Sequence, residues 1–211
     1  GSDTYVQFND GGSFGGESRM TYDKTGSGTL MLNGTMVAHP ADVGRFGVVS
    51  VGSGARVTAS YGISIGRDAE SAGGTAVGNM AHAINNGVAI GDQASTEGGS
   101  TYSIAMGYFA DAKATRALSI GYQARSEQEG VAVGHNTIAE NYAVAIGDQA
   151  QGNGTHDTVV GRTAKSDGSH GIALGYGSHT MGDRGISIGW FARAPKSGLV
   201  IGAGYLDDNY I

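Results

Sequence analysis

The sequence has no cysteine, so neither a disulfide framework nor thiol chemistry is open to it. Only 2 of its 211 residues are proline. With glycines that do not fall at every third position, that scarcity excludes a collagen triple helix. No run of about 18 apolar residues occurs, so neither a transmembrane helix nor membrane insertion is expected. No signal peptide is visible. Gly1-Ser2 stands where an initiating Met would be, and reads as a tag remnant ahead of a natural chain that extends further upstream. Basic residues are few and scattered, 13 Lys and Arg against 19 Asp and Glu, for a net charge of −6. Nucleic-acid binding needs clustered cations to displace counterions, so no nucleic-acid partner is expected.

What the chain does have is glycine, 39 residues of it, against about 15 at the ordinary share. β-Branched residues recur in register with these glycines, which argues against flexible low complexity. One motif returns twelve times: bulky apolar, small, bulky apolar, Gly, two variable residues, then usually Ala. Gly87-Val88-Ala89-Ile90-Gly91 and Gly171-Ile172-Ala173-Leu174-Gly175 are its clearest copies. The closing glycines are Gly52, Gly66, Gly78, Gly91, Gly107, Gly121, Gly134, Gly147, Gly161, Gly175, Gly189 and Gly202, at spacings of 12 to 16 residues, mostly 13 or 14. A period that short is one turn of a solenoid. Twelve turns at about 4.8 Å each predict a rod on the order of 55–60 Å long.

A strand period of two sends the bulky pair to one face and the small residue to the other. The small position is Ala or Ser in ten copies and Val in two (Val159 and Val200), and never charged. A half-exposed strand would carry polar residues there, so both faces are expected to be covered. One packs inside the coil and the other against a neighbouring subunit; the residues alone leave open which is which. The closing glycines are expected at bends of positive φ or close backbone approach.

Residues 1–47 lack the repeat. Tyr5-Val6-Gln7-Phe8, Met20-Thr21-Tyr22 and Thr29-Leu30-Met31-Leu32 read as short strands, the first two separated by the glycine-rich stretch Asn9 to Gly16. His39-Pro40-Ala41-Asp42 reads as a linker. The roll spans 48–205, and 206–211 reads as a cap or tail, because a solenoid end exposes strand edges.

Two resemblances follow from these residues. Val6-Gln7-Phe8-Asn9-Asp10-Gly11-Gly12-Ser13-Phe14-Gly15-Gly16-Glu17-Ser18, continuing through Met20 to Lys24 and Thr29-Leu30, resembles a small β-module of bacteriophage tail-fibre proteins that precedes a variable tip. The repeats, with Gly87 to Ala94 and Ala143 to Ala150 as the closest copies, resemble the YadA-like head of trimeric autotransporter adhesins. That second resemblance implies an all-β, left-handed parallel β-roll of about twelve coils assembled as a homotrimer. Neither the coiled-coil stalk nor the membrane anchor of that family is present in this sequence. Together the two imply a non-catalytic receptor-binding tip on a virion tail fibre. Its partners would be other tail-fibre proteins upstream and a bacterial cell-surface receptor, a glycan or an outer-membrane protein. The alternative is the head of a bacterial surface adhesin that binds host matrix or cells.

Motifs for chemistry are few. Gly62-Ile63-Ser64-Ile65-Gly66 and Gly185-Ile186-Ser187-Ile188-Gly189 have the form of a nucleophile elbow. Ala89, Ala132 and Ala173 occupy the same repeat position, so these serines read as small spacers and no catalytic residue is assigned. The six histidines show no zinc-ligand spacing, and neither a metal nor a cofactor is assigned. His156 and His170 each stand five before a closing glycine and are placed to stack on adjacent coils. Asp148 and Arg162 are placed as a ladder pair. The first two residues after each closing glycine are expected at an exposed, aligned turn. They include Tyr108, Phe109, Tyr122, Tyr176, Trp190 and Phe191, aromatics suited to stacking on sugars or to a protein hot spot, or else to packing on one another.

Overall fold

A computed structural model of the chain describes the backbone of 5–10, 13–23 and 29–32, and all atoms of 47–97 and 101–203. The linker at 39–42 and the tail at 206–211 lie outside the described residues. Near the N-terminus, strands Tyr5–Asp10, Ser13–Asp23 and Thr29–Leu32 form an antiparallel sheet in sequence order. Asn9 pairs with Phe14 and Asp10 with Ser13. The glycine-rich stretch expected to separate two strands is therefore mostly strand itself.

From residue 49 onward the chain coils. Each coil holds two short strands in two different sheets. The first sheet has twelve parallel strands, from Val49–Val51 to Leu199–Ile201, and the second eleven, from Arg56–Ala59 to Arg193–Ala194. The twelve strands of the first sheet are the twelve motif copies. The second strand of a twelfth coil would fall beyond the described residues. Register holds across the longest spacing, where Val88, Ala89 and Ile90 pair with Ile104, Ala105 and Met106. The longer spacing leaves the ladder intact.

Burial settles the orientation of the faces. The small central residues of the first sheet, from Ser64 through Ala89, Ala105 and Ala145 to Ser187, are fully buried. So are most of the residues three after each closing glycine, such as Ala69, Ala94 and Ala150, and the inward residues of the second sheet, such as Ala83, Thr96 and Ala139. The coil interior is thus built from columns of Ala, Ser, Thr and Val; the largest fully buried side chains are Val57 and Val159. Two sheets joined by turns this short lie too close for anything larger. The bulky pair points outward: Ile65, Ile90, Met106, Ile146 and Val160 are 37–40% exposed. The outer face of the second sheet is different in kind, with Arg56 on Glu70 at 2.6 Å, Arg125 on Glu140 at 3.2 Å and Lys165 on Asp167 at 2.8 Å. One long side of the rod is apolar and the other charged.

Candidate functional site

The turn that follows each closing glycine is fixed by stacking of backbone on backbone. The closing glycines have φ between 124° and 142°, a region L side chains rarely enter. A Cβ on Gly147 would lie 2.5 Å from the carbonyl oxygen of Gly161 in the next coil. Among the described residues the second residue after the glycine is always left-handed, from Gly54 (φ 71°) and Asp68 (φ 53°) through Phe109 and Gln149 to Phe191 (φ 50°). Its N–H donates to a carbonyl one coil back, as in Phe109 to Asp92 at 3.0 Å and Phe191 to Tyr176 at 2.8 Å. A hydrogen-bonded rung thus holds each non-glycine residue in a conformation that costs about 1 kcal/mol.

With the turns stitched together, the first residues after the glycines form side-chain ladders in two runs, from Arg67 to Asp92 and from Tyr108 to Tyr176. Arg67 Nε donates to Asn79, and Asn79 Nδ2 to Asp92, both at 2.9 Å. Tyr108 stacks on Tyr122 at 5.3 Å between centroids, and Tyr122 on His135 at 5.1 Å. His135 Nδ1 lies 2.7 Å from Asp148, whose other oxygen accepts from Arg162 Nε at 3.2 Å. The hydrogen bond from His135, seconded by the one from Arg162, holds the Asp148 carboxyl below the usual carboxylate range. The Arg162 guanidinium sits 5.7 Å from the centre of the Tyr176 ring. Phe191 meets Tyr176 and Trp190 edge-on at 5.1 and 4.9 Å. Gly177 makes room for it, since a Cβ there would stand 2.6 Å from the Phe191 ring.

All six aromatics singled out in the sequence therefore lie on one ridge, but in two groups. Tyr108, Phe109 and Tyr122 form one, and Tyr176, Trp190 and Phe191 the other, with the charged rungs Asp148 and Arg162 between. Stacking uses up ring faces in the first group. Trp190 is the most open of the six, 61% exposed, and the residue one coil beyond it on the ladder is the small Ala203.

The opposite turn ridge carries a second column. The fifth residue before each closing glycine is again left-handed, including Tyr142, His156, His170 and Arg184 at φ 58–64°. Tyr142 stacks on His156 at 4.9 Å and His156 on His170 at 5.0 Å. The expected His156–His170 stack is thus present, extended by a tyrosine. No cluster of three or more His, Cys, Asp or Glu suited to a metal occurs among the described residues.

The two elbow-like serines are core spacers. Ser64 and Ser187 are fully buried, and their hydroxyls donate to the carbonyls of Arg56 and Ala192 at 2.8 and 2.7 Å. Asp157 was not anticipated. It sits at a position that is Gly, Ala or Ser in ten of the eleven other copies, is 1% exposed, and accepts backbone N–H groups from Gly154 and Gly171, both at 2.8 Å. Burial pushes its carboxyl up despite these bonds. In other coils the equivalent N–H closes a local turn, as Ala143 does to Glu140 at 3.0 Å; here it bonds to a neighbouring coil instead.

The repeat geometry has a counterpart among known families. The model of the YadA head domain repeat matches residues 85–110, 99–124, 153–178 and 166–192. Residues 85–124 and 153–192 are thus similar to YadA head repeats. All six ridge aromatics fall within the matched repeats. A solved structure described as the collagen-binding domain of the Yersinia adhesin YadA is similar at 18% identity and a TM-score of 0.47, over 81% of this chain and 76% of that one. No curated protein matches the sequence. In the matched segments the exposed surface consists of the outward bulky pair, the charged face of the second sheet and the two turn ridges.

Proposed function

We propose that this chain is the tip region of a homotrimeric attachment fibre, a receptor-binding protein without catalytic activity. The observation that carries the proposal is the division of the rod's surface. Twenty-two apolar side chains, with Thr75 and Thr158 among them in the two columns, leave on the order of 1,000 Å² of apolar stripe, well above the few hundred a soluble monomer carries. Two further copies of the chain cover that stripe, three being the number the YadA-like resemblance implies. The charged sheet and the two ridges then face outward. The ridge at Tyr176, Trp190 and Phe191, with Tyr108, Phe109 and Tyr122 further along, is the receptor contact, because exposed aromatic faces gain most from stacking on sugars or filling a protein pocket.

The N-terminal stretch from Val6 to Ser18 favours a virion tail fibre that attaches to a bacterial surface. The repeat match favours the second reading, an adhesin head on a bacterial cell. Binding of the purified protein to panels of bacterial cells, host cells and glycans tests both. Attachment to bacteria supports the fibre, and attachment to host cells or matrix the adhesin. Trp190→Ala weakens binding about tenfold or more in either case. Tyr122→Ala acts less, since its faces are already shared with Tyr108 and His135. Unchanged binding in both variants removes the ridge from the account.

A further inference from the structure

On the edge of the roll opposite Trp190, the last coils enclose an open depression of about 320 Å³, bounded by Ser169, His170, Asp183, Arg184, Lys196 and Ser197. Its charges are unevenly matched. Arg56, Arg67, Arg116, Arg125 and Arg162 each have a carboxylate within 4 Å; among the described residues Arg184 has none. Asp183, the one carboxylate of the depression, is already engaged. Its Oδ1 accepts the Ser169 N–H at 3.0 Å and its Oδ2 lies 3.3 Å from Lys196 Nζ. The backbone under the cations is fixed, since the Arg184 N–H donates to Ser169 at 2.9 Å and that of Ser197 to Asp183 at 2.9 Å. The His170 ring is held on the His156–Tyr142 stack.

We propose that this depression binds an oxyanion borne by a sugar, a uronate carboxylate or a sugar sulfate, with Arg184 as its principal ligand. A guanidinium fork matches two oxygens of such a group side by side. His170 and Lys196 stand beside it, and the hydroxyls of Ser169 and Ser197 suit the neighbouring sugar hydroxyls. A chain of net charge −6 repels anions at large, so capture depends on this local set. The proposal adds a ligand class to the attachment reading but uses the opposite ridge, and the two fail separately.

Titration calorimetry tests it with three probes of matched length: a galacturonate oligomer, a sulfated tetrasaccharide and a neutral oligosaccharide. At least one acidic probe binds the wild-type protein and the neutral one does not; the acidic probe that binds identifies carboxylate or sulfate. Arg184→Gln weakens that binding about tenfold or more, while Arg67→Gln, on the other ridge, and Trp190→Ala stay within about twofold. The proposal is overturned if neither acidic probe binds at low salt, if the neutral probe binds as well, or if Arg67→Gln weakens binding as much as Arg184→Gln. Loss of cell attachment in Trp190→Ala alongside such a failure would sink this site and leave the attachment reading standing.

Discussion

Replacing Gly147 with alanine sets a methyl group against backbone that is held in place. At φ 135° the new Cβ lies 2.5 Å from the carbonyl oxygen of Gly161, 2.7 Å from its carbon and 3.2 Å from Arg162 N. Non-bonded heavy atoms settle near 3.5 Å, so the shortfall is roughly 0.8–1 Å. Gly161 cannot simply withdraw, because its N–H donates to Ile146 at 2.9 Å, as that of Gly147 does to Val133. Relief lengthens those rungs, each worth about 1 kcal/mol net, on top of 1–3 kcal/mol for a side chain in this backbone region. The sum is about 3–5 kcal/mol, a large part of a typical domain's stability. Gly202 supplies the comparison. Its φ is 136°, yet among the described residues a Cβ there meets nothing within 4 Å, so on these residues Gly202→Ala carries at most the conformational term. Urea unfolding of both variants reads the difference, provided their m-values agree. Equal losses would mean that the glycine ladder reflects φ alone and not coil-on-coil contact.

Ala145→Leu overpacks the column between Ala132 and Val159 and lowers stability by about 1–3 kcal/mol, seen as a drop in thermal midpoint; an unchanged midpoint would place the small face outside. Asp157→Asn turns one of two N–H acceptors into a donor. It leaves a buried N–H unpaired, a loss of about 1–3 kcal/mol, and its slower or unchanged amide exchange at Gly154 and Gly171 would contradict that role. Acid acts on the fold in two opposed directions. Burial opposes but does not outweigh the bonds from Lys165, His179 and Asn153 that lower Asp167; bonds from His135 and Ser169 lower Asp148 and Asp183. Their contribution is present above the unfolded carboxylate range near pH 4 and is lost as pH falls through the lower folded values. Asp157 and Asp111, raised chiefly by burial, run the other way: charging them costs stability as pH rises through the raised values. A pH series of unfolding midpoints therefore falls below about pH 4, and Asp157→Asn loses less than wild type on going from pH 4 to 7.

The repeat was readable because period and spacing are local properties. The glycine register placed all twelve strands of the first sheet, and the pairing of Val88 with Ile104 follows from it. Which face lay inside was not readable, since an alternation of Ile and Ala is the same viewed from either side. The separation of the two sheets decides it, and that is a property of the closed coil. Nor did residue type announce the left-handed positions at Tyr142, His156, Thr163 or Phe191; the hydrogen bonds their N–H groups donate to the coil before impose them. Asp157 left a signal that alignment could have caught, as the one charged residue in a column otherwise of Gly, Ala, Ser and Val. The six ridge aromatics were placed correctly on one turn, but their division into a stacked group and a more open one depends on ring contacts that spacing does not specify.

The central claim is that the outward Val, Ile, Leu and Met columns are covered by two other copies of the chain. Light scattering on the purified protein at micromolar concentration measures it most directly. The account predicts about 64 kDa, three chains of 21.3 kDa. A stable, soluble species of 21.3 kDa would contradict it.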